Sequence, residues 1–209
     1  RDFLKLGAGA LTFSLAAEAA WAQTNKVEVQ WLGHSTTKIT TLTGKVIVID
    51  PFLTPNPKTP PQYKNLDTLG KVDLILVTHG HVDHTADVKE LAARSGAKVA
   101  ASLDLIRAMI ELGWLTPEQG VGFHKGGKVA PLGPGISITQ THAEHSSAVT
   151  VTDPATKKIT NYQGGEPAGA QLGRAGERGR GAITANKGPV VHAYRELTGL
   201  GGMMKRRFY

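Results

Sequence analysis

The feature that most constrains this chain is a dense set of metal-ligand side chains placed directly behind an apolar strand. Val72-Asp73-Leu74-Ile75-Leu76-Val77 reads as a buried strand and runs straight into Thr78-His79-Gly80-His81-Val82-Asp83-His84. Alternate residues at a strand terminus project toward one side, so His79 and His81 are placed to chelate one ion. The backbone turns next, which aims Asp83 and His84 at a second ion nearby. Imidazole nitrogens and carboxylate oxygens suit zinc, with manganese as the alternative. One or two ions so held would lower the pKa of a water and set it against a carbonyl or phosphoryl centre. A surface loop with histidines present by chance is the bland alternative. Three histidines and one aspartate within six positions, behind a six-residue apolar strand, argue against it.

Length and composition narrow the frame around that motif. The 209 residues suit one domain large enough to bury a core. Cysteine is absent, which excludes disulfides, thiolate metal sites and cysteine nucleophiles and leaves only nitrogen and oxygen ligands. The net charge of +7 invites a nucleic-acid reading, but it is concentrated at one end. From Ala170 to Tyr209 eight basic residues face only Glu177 and Glu196, so the body is nearly neutral. A basic end of this kind binds polyanions non-specifically at most, and no specific nucleic-acid partner is expected.

The chain divides into three parts. Arg1-Asp2-Phe3-Leu4-Lys5 precedes an Ala/Gly-rich apolar stretch from Leu6 to Ala17, and Ala20-Trp21-Ala22 supplies a small-x-small cleavage pattern. Arg-x-Phe-Leu-Lys resembles the second half of a twin-arginine signal, so residues 1–22 are expected to be an export signal preceded by a few further residues. That implies the twin-arginine export machinery as a partner, a periplasmic or secreted location and no stable membrane span. Residues 23–169 form the folded domain. Strands are expected at Val27–Trp31, Thr37–Thr40, Lys45–Asp50, Lys98–Ala100 and Ile136–Thr141, with a hairpin of Val149–Thr152 and Lys158–Tyr162. Helices are expected at Asp87–Ser95 and Leu103–Leu112, a proline-rich loop at Pro51–Gln62, and an irregular glycine-rich segment at Gly120–Gly135. Residues 170–209 form a basic Gly/Arg-rich tail whose opening stretch, Gly173–Gly181, has neither strand nor helix periodicity.

The histidine motif resembles that of the metallo-β-lactamase superfamily. Trp31-Leu32-Gly33-His34-Ser35, Val48-Ile49-Asp50-Pro51, His142-Ala143-Glu144-His145-Ser146-Ser147 and Gly165-Glu166-Pro167-Ala168-Gly169 resemble, more narrowly, its ascorbate-phosphate-lactonase-like branch of metal-dependent hydrolases. The resemblance covers Val27 to Gly169. It implies an α/β fold, the αββα sandwich of two βαβ-rich halves with metals at one edge between the sheets. It also implies that the histidine before Ser-Ser, His145, is a ligand. His79, His81 and His145 would then hold the first ion, with Asp83 and His84 at the second, where Asp83 also orients the attacking water and helps to accept its proton. His34 would lie close to the metals and contact substrate, or be an ordinary strand-end histidine. His142 would be a neighbour of the site or simply exposed. Asp50 would hydrogen-bond a ligand histidine or cap its loop. His124 and Glu166 are read as structural.

The second half departs from that pattern. The superfamily continues with His-x-Gly-Asp-Thr, whose aspartate bridges both ions, and then a final histidine. Here Val190-Val191-His192-Ala193 resembles the approach, but Tyr194-Arg195-Glu196-Leu197 stands where Gly-Asp is expected. Either the segment from Ala170 is a corrupted or frameshifted copy of the second half in a truncated product, or Glu196 replaces the aspartate. With only Asp83 and His84 assured, the second ion is expected to bind weakly. The leading functional expectation is a hydrolase acting on an ester, lactone or phosphate-type bond of a small-molecule substrate. A catalytically impaired metal-binding protein of the same fold is the alternative.

Overall fold

The computed structural model describes residues 26–165 in full and, beyond them, the backbone of four strands. The expected signal at 1–22, Glu166, Glu196 and most of the basic tail lie outside the described residues. In chain order the elements are β1 (Glu28–Gly33), β2 (Thr36–Thr40), β3 (Val46–Ile49), β4 (Leu74–Leu76), α1 (Val82–Thr85), α2 (Val88–Ser95), β5 (Lys98–Ser102) and α3 (Leu103–Glu111). There follow β6 (Gly120–Phe123), β7 (Lys128–Val129), β8 (Ser137–His142), β9 (Ala148–Thr152) and β10 (Ile159–Gln163). The further strands are β11 (Ala168–Gly173), β12 (Ile183–Asn186), β13 (Val190–Ala193) and β14 (Arg206–Arg207). Among the described residues no helix is long and apolar enough to cross a membrane.

Seven strands build the first sheet in the order β14-β1-β2-β3-β4-β5-β6. β2 pairs antiparallel with both β1 and β3, whereas β3 through β6 are parallel. The parallel strands are apolar on both faces because both faces are covered. Val48, Ile75, Val77, Val99 and Ala101 pack with Val88, Leu91, Leu105 and Met109 from α2 and α3. The alternate residues Ile47, Ile49, Leu74, Leu76 and Ala100 pack with Ile138 of the second sheet, whose order is β13-β12-β11-β8-β7. This helix–sheet–sheet layering is the expected α/β sandwich, with three of its four layers present among the described residues. The β9–β10 hairpin adds Val149, Val151 and Tyr162 to the helix-side core.

The structure corrects two expectations. The segment Gly120–Gly135 is not irregular throughout, since β6 and β7 lie within it. Gly120 and Gly122 hide the strand from a pattern reading because α3 lies directly on it. A Cβ at Gly120 would stand 2.7 Å from Ile106 Cγ2, and one at Gly122 would stand 2.6 Å from Leu103 Cδ1. The His79–His84 run also proves less strand-like than expected. β4 ends at Leu76, His79 and His81 sit in a loop, and Asp83 and His84 lie on the single turn of α1. Beyond position 169, β11 continues to Gly173 and pairs antiparallel with β8.

Candidate metal centre

The carboxyl ends of β3 and β4 lie side by side, with the Asp50 amide donating to the Leu76 carbonyl at 2.9 Å. The chain leaves β4 through Thr78 to His84 at this edge, and the β1–β2 turn carrying His34 reaches the same place because Thr37 pairs with Ile49. Ligands so placed are typical of open α/β sheets, where sites form beyond the carboxyl ends of the strands. The loop after β8 contributes His145 from the second sheet.

Two groups of ligand-type side chains result. In the first, His79, His81 and His145 each offer one nitrogen, all within 4.8 Å of one another. His79 Nε2 and His81 Nδ1 are 3.1 Å apart, and the His145 ring stands edge-on to both, with centroids 4.8 and 4.9 Å away. The second group is His34, Asp83 and His84, again with ligand atoms within 4.8 Å. Asp83 Oδ2 lies 2.8 Å from His34 Nε2 and 3.7 Å from His84 Nε2. The groups abut, since the His79 and His84 ring centroids are 3.9 Å apart.

Asp50 stands behind both groups. It is buried, and its Oδ2 accepts the Nδ1–H of His84 at 2.9 Å and the Thr78 hydroxyl at 2.8 Å, while Oδ1 accepts the Thr78 amide at 2.8 Å. The Thr78 hydroxyl, its proton spent on Asp50, accepts from His79 Nδ1 at 3.0 Å. One carboxylate therefore places the proton of both histidines on Nδ1 and leaves each Nε2 lone pair facing its group. Thr78 opens the motif in the sequence, yet its part in this relay depends on Asp50, 28 positions away, and carries no local sequence signal. Nor does that of Ser147, whose hydroxyl accepts from the Gly80 amide and donates to the Gly164 carbonyl, each at 3.1 Å. Ser147 thus ties the His79–His81 loop to the segment that carries His145.

The electrostatics follow from burial and these partners. Burial, together with the neighbouring charges of His84, His81 and His145, drives the His79 pKa down to about 3, so its lone pair is free at neutral pH. Burial also pushes His84 down, but the hydrogen bond and charge of Asp50, with the charge of Asp83, outweigh it and raise its pKa. At Asp83 burial acts upward and is overcome by the hydrogen bond from His34 and the charge of His84, which hold the carboxyl below its ordinary range.

The donor sets fit divalent ions. Two ligands each about 2.1 Å from a tetrahedral ion stand roughly 3.4 Å apart. The separations of 3.1 Å in the first group and of 2.8 and 3.7 Å in the second bracket that spacing. His142 belongs to neither group; it is exposed and paired with Glu144 at 2.5 Å. His124 is exposed after β6.

Residues 45–172 match the family described as the beta-lactamase superfamily domain. This chain belongs to the beta-lactamase superfamily. It is 52% identical over 145 residues to a UPF0173 metal-dependent hydrolase of Cupriavidus necator, covering 69% of this chain and 50% of that protein. It is 44% identical over 167 residues to a UPF0173 metal-dependent hydrolase of Polynucleobacter asymbioticus, covering 79% of this chain and 58% of that one. The chain thus spans about half the length of the curated relatives it matches. Among solved structures it is similar to Igni18, a metallo hydrolase of the hyperthermophilic archaeon Ignicoccus hospitalis. The two are 28% identical with a TM-score of 0.59, over 76% of this chain and 59% of that one.

Proposed function

We propose that this protein is a metal-dependent hydrolase acting on an ester, lactone or phosphate-type bond of a small substrate. The reading is carried by one observation: the three-histidine group of His79, His81 and His145 abuts a carboxylate–imidazole group containing Asp83 and His84. The relatives named metal-dependent hydrolases support it. A divalent ion, zinc by ligand chemistry with manganese as the alternative, would be held by His79, His81 and His145, and a second by Asp83 and His84. Such an ion supplies an acidified water and polarises the substrate oxygen. The protein does the rest. Asp83, kept ionised, orients the water and accepts its proton. Asp50 fixes the faces of His79 and His84. Val82, an exposed apolar side chain beside the ligands, and Phe52, against the His34 ring, offer walls to the organic part of a substrate. The likeness to the ascorbate-phosphate-lactonase-like branch points to a small anionic or cyclic ester.

The test is to strip the purified chain with chelator, reload it with zinc or manganese, and assay 4-nitrophenyl acetate, a thiolactone and bis(4-nitrophenyl) phosphate. Hydrolysis of at least one is expected only after reloading, and His79→Ala should abolish it. Metal uptake with no turnover on any of the three would favour the non-catalytic metal-binding alternative, and no uptake would overturn both. We further propose export through the twin-arginine route, supported by Arg1-Asp2-Phe3-Leu4-Lys5 and Ala20-Trp21-Ala22. Cell fractionation with Arg1→Lys should then show cytoplasmic retention.

A further inference from the structure

We infer that His34 is a third protein ligand of the second metal position, completing with Asp83 and His84 a site for which the histidine motif alone supplies two ligands. This rests on the metal-dependent reading above and assigns His34 a place within it. The first support is position. His34 comes from the β1–β2 turn, 49 residues before Asp83, yet its Nε2 lies 2.8 Å from Asp83 Oδ2 and its ring lies edge-on to His84 at 5.6 Å.

The second support is backbone conformation. His34 has φ +50 and follows Gly33 at φ +106. The left-handed region is unfavourable for a residue with a Cβ and persists where the surroundings impose it. Packing gives no reason for histidine there, because the side chain is exposed. An exposed histidine–carboxylate pair is weakly stabilising and offers little return for the strain. The turn is nevertheless pinned on both sides. Trp31 Nε1 donates to the His34 carbonyl at 2.8 Å, and the Ser35 hydroxyl donates to the Asp83 carbonyl at 3.3 Å. Phe52 meets the imidazole at 5.5 Å on its other side. The local structure therefore holds this ring toward Asp83 and His84 at some cost to its own backbone. The resulting donor set of two imidazoles and one carboxylate is a three-ligand site that keeps a coordination position open for water or substrate.

The test uses the full chain and zinc alone. Wild type, His34→Asn and Asp83→Asn are titrated with zinc against a chromophoric chelator. Asparagine tolerates the left-handed backbone but lacks the imidazole, so the metal-free melting temperature should match wild type. Wild type should bind two equivalents. His34→Asn should leave the first unchanged and weaken the second by about 100-fold or more, beyond what loss of a supporting hydrogen bond brings. In the cobalt-loaded protein, proton NMR should show one fewer exchangeable, hyperfine-shifted imidazole resonance in His34→Asn. A second equivalent bound by His34→Asn as by wild type would overturn the inference. So would weaker binding with an unchanged count of shifted imidazoles, which would make His34 only a hydrogen-bond partner of Asp83, and so would a single equivalent in wild type. Failure of wild type to bind even the first equivalent would overturn the metal-dependent reading itself.

Discussion

A single buried carboxylate, Asp50, reaches both of the proposed metal positions without belonging to either. It binds His84 directly and reaches His79 through the Thr78 hydroxyl. Replacement of such a partner usually lowers metal affinity about 10- to 100-fold. Asp50→Asn should therefore weaken both zinc equivalents, whereas a change confined to one group weakens one; competition titration separates the two outcomes. The raised His84 pKa gives a pH dependence with a definite sign. A proton on Nε2 must leave before an ion binds, and a raised pKa keeps that proton to higher pH. Zinc affinity at the second position should fall about tenfold per pH unit below a midpoint lying above 6.5, the ordinary histidine value. Asp50→Asn, which removes the main upward influence on His84, should move that midpoint down. The roles of Thr78 and Asp50 were only half legible in the sequence. Asp50 was visible as a carboxylate at a strand end, but the partners that give it meaning are 28 and 34 positions away.

At the scale of elements, the histidine loop keeps its shape because Gly80 lies flat against the β9 strand. A Cβ there would sit 2.9 Å from the Ala148 carbonyl carbon and 3.0 Å from its oxygen, which are backbone atoms that cannot swing aside. Gly80→Ala should shift the loop, cost about 1–3 kcal/mol in urea unfolding and reduce zinc affinity at the first position. The same physics decided what could be read in advance. α2 and α3 were legible because their apolar residues recur at helical spacing and bury Val88, Leu91, Leu105 and Met109. β3 and β4 were legible as unbroken apolar runs. β6 was not, since its glycines leave no side-chain pattern where α3 presses on it. The histidine motif announced itself because its ligands are local, whereas the convergence of His34 on Asp83 depends on the register of β2 against β3.

The whole molecule brings its ligands from both sheets, with His79, His81, Asp83 and His84 on the first and His145 behind the second. An ion that binds only the folded arrangement stabilises it by mass action, by about 2.7 kcal/mol when free zinc is 100 times the dissociation constant. Zinc should accordingly raise the urea midpoint of wild type, while His79→Ala should show a smaller rise, the part contributed by the second position. Ser146 approaches His81 to 3.5 Å across 65 positions of sequence, a measure of the loop that an ion at the first position would close. In a chain with no cysteine, that ion would take the place of a covalent cross-link, adding metal bonds to the apolar contacts and the Ser147 hydrogen bonds that join the two layers. Such a tie is indifferent to oxidants and reductants. It answers to chelators and acid instead, so the metal supply where the chain folds, more than the redox poise there, would decide how firmly the two layers are held together.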